Sequence, residues 1–149
     1  MQVRDEEITK GLVVRLDTTQ LRALGGSETN AVITPDGDRA VTGINDFLIV
    51  HVDTDAGICT AVPLFPKAAV GNQPLDDEKK AGGADHWIGT ETYYSRWQHW
   101  RIPVASIVAA SGGDKTSDAD RRRYADAFPT DLDSIRSGER KNRAAYRSA

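Results

Sequence analysis

"DFLIVHVDTDAGICTAVPLF" occupies residues 46–65 and decides the fold. Residues 46–53 are β-branched and aromatic, and apolar on both faces at their centre, the strongest strand signal in the chain. "TDAG" (54–57) is a short hairpin connection, and residues 58–65 return as a second strand. Pro63 has no N–H to give a ladder, so its position is expected at a strand end or a sheet edge.

Working outward, residues 8–16, "ITKGLVVRL", alternate. Ile8, Leu12, Val14 and Leu16 share one face with Lys10, which reads as a half-buried strand. "DTTQLRALGG" (17–26) reads as a short helix capped by Thr18 or Thr19 and ended by Gly25. "TPDGDRA" (34–40) is a turn by composition. Residues 66–91 form a long polar excursion, within which "PLDDEKKAGG" has its acidic residues first and lysines later, as a helical turn prefers. "PVASIVAAS" (103–111) follows as a short apolar helix with Pro103 near its first turn. "SGGDKTSD" is a flexible connection. "SDADRRRYADAF" (117–128) then reads as a helix capped by Ser117, and a sparse last helix follows Thr130.

These elements predict a mainly β, α+β chain: a small Src-homology-like bent barrel of about five strands with short inserted helices and a helical C-terminal extension. The expected domains are a barrel-like core over 1–112 and a helical, partly basic extension over 113–149. A doubly wound parallel sheet is disfavoured, because the strands do not alternate with long helices.

The chain has 149 residues, a net charge of −3 and one cysteine. The length suits one domain with an extension. The negative charge argues against general affinity for nucleic acid. Charge is uneven: residues 1–113 carry 10 basic and 15 acidic side chains, and residues 114–149 carry 9 and 7. The final "RSGERKNRAAYRSA" is mostly basic, so Arg140, Lys141 and Arg143 are candidates for docking a partner. A lone Cys59 forms no intrachain disulfide and fits a reducing cytoplasm. The polar start "MQVRDEEITK" is not a secretory signal, and no apolar run is long enough for a membrane span.

The candidate site lies in "ETYYSRWQHWRIP" (91–103), read as one strand. Strand parity sends Trp100 and Ile102 to the core and puts Tyr93, Trp97, His99 and Arg101 on the outer face. An aromatic ring, an imidazole and a guanidinium in a row suit a protein hot spot or base stacking with phosphate contact. The plainer alternative packs Trp97 under the 66–91 excursion. His51, His86 and His99 match no zinc spacing, so no metal and no cofactor are expected. "RRR" (121–123) would fan around a solvated helix.

The middle of the chain, residues 8–110, resembles the PemK/MazF group of plasmid-maintenance toxins. The similarity runs through "KGLVVRLD", "GINDFLIVHVD", "CTAVPLF" and "IPVASIVAAS". It implies a metal-independent endoribonuclease. That family uses an arginine in the turn before the central strand and a Thr or Ser at the end of the next. This chain has Asn45 and Asp46, then Phe65, at those places; Arg39 and Thr60 are nearby but out of register. His99, Arg101 and Arg96 are the substitute catalytic candidates.

Three functions compete. The first is a cytoplasmic, non-catalytic module holding a macromolecular partner, protein before RNA. The second is the toxin-type ribonuclease. The third is an antitoxin-like or inhibitory protein whose C-terminal helices wrap a partner. The sequence leaves the oligomeric state open, a dimer included.

Overall fold

The hairpin at the centre of the sequence is also the centre of the sheet. In a computed structural model, the structure describes residues 1–31, 40–69, 71–83, 86–95, 97–125 and 147–149. Strand β1 (Val13–Asp17) leads directly into helix α1 (Thr18–Leu24), and a two-residue strand β2 (Glu28–Thr29) follows. The hairpin supplies β3 (Ile44–Asp53) and β4 (Ile58–Phe65). Next come β5 (Asn72–Pro74), β6 (Lys80–Ala81), β7 (Tyr93–Ser95) and β8 (Trp100–Pro103). Helix α2 (Val104–Ala110), β9 (Arg123–Tyr124) and β10 (Arg147–Ser148) complete the described elements.

The main sheet runs β1-β3-β4-β8-β2-β10, with β7 also on β4 and β5 on β7. Every pairing in it is antiparallel. The described residues are therefore mainly β with two short α-helices, an α+β fold as expected. Strands outnumber the expected five because the connections themselves pair.

The apolar character of residues 46–53 on both faces has a direct cause. One face of the sheet buries Phe47, Ile49, Cys59, Ala61, Trp100 and Ile102 with Leu21 and Ile107 of the two helices. The other buries Leu48, Val50, Val62 and Leu64 beneath Leu75, Trp87, Tyr94 and Tyr124. The central strands thus lie between two apolar layers, so neither face keeps the polar alternation of a half-exposed sheet. In the first layer Phe47 and Trp100 meet edge-on at 5.7 Å, a favoured aromatic geometry.

Several sequence expectations change. Residues 8–16 are not one strand; β1 begins at Val13, after Leu12 makes an isolated bridge to Arg123. The cap of α1 is Asp17, whose carboxylate accepts from the Thr19 N–H at 2.9 Å. Pro63 sits inside a central strand. It pairs with Phe47 on one side. On the other, pairing stops at Ala61 and resumes at Leu64, so the missing N–H falls in a ladder gap.

The largest change concerns residues 113–125. "SDADRRRYADAF" was expected as a helix, but Asp118–Asp120 make a single 3₁₀ turn and Arg123–Tyr124 form β9 against β6. Tyr124 is buried in the second apolar layer. At the far end, β10 joins the main sheet through β2. Both described parts of 113–149 are hydrogen-bonded to the rest of the described structure. The turn expected at 34–39 and the helix expected after Thr130, with Arg140, Lys141 and Arg143, lie outside the described residues.

Charge fixes residues 121–123 in place. Buried Arg121 donates to Glu7 Oε2 at 2.7 Å, and also to the carbonyls of Met1, Gln2 and Thr116. Its guanidinium also lies 3.9 Å from the buried Asp114 carboxylate. The Arg121 hydrogen bond lowers the Glu7 pKa from its ordinary 4.5 to about 2, outweighing the opposing effect of burial. A carboxylate held below its unfolded pKa stabilises the fold fully above that unfolded value and loses the effect as pH falls through the folded value. The melting temperature is therefore expected to drop as pH falls from about 4.5 towards 2, and Glu7→Gln should flatten that part of the profile. A pH series of thermal melts on both proteins checks this.

Candidate functional site

Residues 93–103 carry the aromatic cluster, but not as one strand. Tyr93 and Tyr94 pair with Phe65 and Leu64, and Trp100 to Pro103 pair with Ala61 to Ile58. The stretch between them has no ladder partner on β4 and bulges out. Its described residues are held by side chains from elsewhere. Ser95 Oγ accepts the N–H groups of Trp97 (3.2 Å) and Gln98 (2.9 Å). Asn30 Oδ1 accepts the His99 N–H at 2.9 Å, while Asn30 Nδ2 donates to the Trp97 carbonyl at 2.7 Å. Gln98 Oε1 accepts from Trp100 Nε1 at 2.9 Å and from the Val41 N–H at 3.0 Å.

This clamp breaks the parity argument. Residues 64 and 94 pair, then 61 and 100, so β4 advances three positions while the other strand advances six. An odd offset reverses the faces. Trp97 is 63% exposed, whereas His99 is only 4% exposed. The expected outer row of Trp97, His99 and Arg101 is therefore not formed: His99 is buried. Arg101 is half-buried on β8, between β4 and β2, opposite Thr60 and Glu28. Tyr93 is half-buried on β7. Arg96 lies outside the described residues. Trp100 and Ile102 are fully buried, as expected.

Both readings of Trp97 hold in part. A Cβ placed on Gly71 would lie 2.6 Å from Trp97 Cδ1 and Nε1, so the 66–91 excursion backs the ring. Gly71 has φ +85 and no side chain, which permits this approach. The rest of the indole remains open to solvent.

A second feature escaped the sequence. Where β3 begins and β4 ends, a depression of about 300 Å³ is lined by Ile44, Asp46, Phe65, Trp87, Arg15 and Arg122, among others. It shares Arg15, His86 and Arg122 with a neighbouring cleft of about 570 Å³ that reaches Lys115 and Asp120. Arg122 Nη2 lies 2.9 Å from Asp46 Oδ1, and Arg15 Nε lies 3.2 Å from the same oxygen. Burial disfavours the Asp46 charge, but Arg122 and then Arg15 outweigh it and hold the carboxyl below its usual pKa. His86, at the shared wall, has φ +66, the left-handed region that non-glycine residues rarely adopt. Asp46, which stands near the place of the toxin family's arginine, gathers two cations in space. The arginine triplet was the available signal, but its helical reading pointed it at solvent.

Neither Cys59 nor the histidines offer metal or thiol chemistry at these places. Burial pushes the Cys59 thiol up to about 12, which leaves it protonated and inert. Among the described residues, no group of three or more His, Cys, Asp or Glu could hold a metal ion. No helix of the described residues is long and apolar enough to cross a membrane.

Comparison with known protein families, with curated proteins and with solved structures gives no match for this chain.

Proposed function

We propose that the chain is a non-catalytic binding module that holds a macromolecular partner, protein before RNA, on the Trp97 bulge. One observation carries this reading: a mostly exposed tryptophan stands on a backbone fixed by Asn30 and Ser95 and is backed by Gly71. An aromatic anchor held before binding loses little conformational entropy when a partner covers it. Tryptophan is among the residues that carry most of the energy at protein interfaces. The net charge of −3 favours protein over nucleic acid. A reducing cytoplasm fits the single buried thiol.

The alternatives draw less support. The ribonuclease reading needs His99 at an open surface, and His99 is buried. The antitoxin-like reading rests on helices in a region outside the described residues.

The test uses two variants that reach the ring differently. Trp97→Ala removes it, and Gly71→Ala pushes it away while keeping the indole. Trp97→Ala is expected to leave the melting temperature within about 2 °C, because an exposed side chain carries little stability. A partner captured by the wild-type chain should bind Trp97→Ala about 30-fold or more weakly, the scale of a hot-spot truncation. Gly71→Ala should weaken it in the same direction. Full retention by Trp97→Ala would sink the proposal. Tight binding of a single-stranded RNA oligomer, lost in Trp97→Ala, would make RNA the partner.

A further inference from the structure

The arginine depression is built differently from the Trp97 bulge, and it calls for a different ligand. Its floor holds two guanidinium groups, Arg15 and Arg122, drawn together by one carboxylate, Asp46. Asp114 lies 3.7 Å from Arg122 but is also shared with Arg121, so it neutralises neither alone. An arginine has five N–H donors. In Arg122, Nη2 faces Asp46 while the buried Nε has no hydrogen-bond partner. That Nε is closed to a ligand, so a bound anion shares the donors that face Asp46. The wall mixes apolar and polar groups: Ile44 is mostly exposed, Phe65 is half-buried, Trp87 is only 4% exposed, and Thr90 and Glu91 also line it. A depression of about 300 Å³ lies at the small end of ligand pockets, which combine apolar walls with a few convergent polar groups.

We propose that this depression binds a small organic anion, a carboxylate or phosphate head on a flat apolar body. The head meets the Arg15–Arg122 floor, where guanidinium geometry matches both oxyanions. The body lies along Ile44 and Phe65. The head competes with Asp46 for shared donors, which sets the affinity in the weak range of a reversible sensor or carrier. His86, at the shared wall, borders the body's exit towards the larger cleft.

The test is a titration of the ¹⁵N-labelled full chain with four probes at constant ionic strength. Benzoate and phenyl phosphate carry head and body. Inorganic phosphate has no body, and benzyl alcohol has no charge. Saturable shifts at Arg15, Asp46, Phe65 and the Trp87 indole are expected with one or both of the first two, at least about tenfold tighter than with either control. The better of benzoate and phenyl phosphate identifies the head. Arg15→Gln and Ile44→Ala alter half-open side chains and should keep the fold. Each should weaken the better probe about fivefold or more. Equal affinity for controls and probes, or unchanged affinity in both variants, would overturn the proposal.

Discussion

Arg121→Met is expected to lower stability by about 3–5 kcal/mol, the usual cost of removing one member of a buried ion pair. For a chain of this length that corresponds to a fall of roughly 10–15 °C in melting temperature. The physical reason is what remains behind. Methionine fills similar space but donates no hydrogen bond. Among the described residues, Glu7 would keep its buried carboxylate with Arg4 alone beside it, at 3.3 Å. The carbonyls of Met1, Gln2 and Thr116 would each lose a donor. Arg123→Ala is the comparison. Its guanidinium reaches Thr9 and the Glu7 carbonyl near the surface, so its loss should cost about 1 kcal/mol or less. If Glu7 is the main partner, Glu7→Gln combined with Arg121→Met should be less damaging than the sum of the two changes. Calorimetric melts of these three single variants and the double variant decide this. Equal small effects for Arg121→Met and Arg123→Ala would mean that the buried pair contributes nothing.

Gly82→Ala is the second large effect, expected at about 2–5 kcal/mol from left-handed backbone strain added to steric overlap. Gly82 has φ +73, and a Cβ there would lie 2.0 Å from the Arg121 carbonyl oxygen. That neighbour is backbone, so it cannot rotate aside. The segment at 120–122 would have to move, and the Gly83 N–H bond to Asp120 O at 2.7 Å would move with it. Gly57→Ala separates the two causes. Gly57 has φ +66, but nothing lies within 4 Å of its added Cβ. It should therefore cost only the strain, about 1–2 kcal/mol. Denaturant unfolding of both variants measures the difference, and similar values would rule out the overlap.

The sequence made the central hairpin readable because its signals are local. β-branched residues run to a turn, and a second apolar run returns. The same holds for α1 and α2, and for burial of Trp100 and Ile102. The arginine triplet was misread because its partners are remote. Arg121 meets Glu7, 114 residues away, and Arg122 meets Asp46, 76 residues away. Nothing in "DADRRRYADAF" announces those partners, and by local propensity alone the segment is a fair helix. The aromatic strand failed for a related reason. Parity assumes an unbroken ladder, and the break is held in part by Asn30, far upstream. Parity placed Trp97 outward, with packing under the 66–91 excursion as the alternative, and the same argument also exposed His99. The depression was unreadable for the same reason as the triplet: its floor joins β1, β3 and residue 122.

The segment 120–124 is inserted between two others. On one side, the Tyr124 N–H donates to the Gly11 carbonyl at 2.8 Å, and the Val13 N–H donates to the Arg122 carbonyl at 2.9 Å. On the other, it pairs with Lys80–Ala81. During synthesis Glu7, Asp46 and Asp114 leave the ribosome before Arg121 and Arg122, which pair with them from this segment. Until then the outer edge of β1 stands open and the second apolar layer lacks Tyr124. The outer edge of β1 is therefore covered by a segment synthesised long after it.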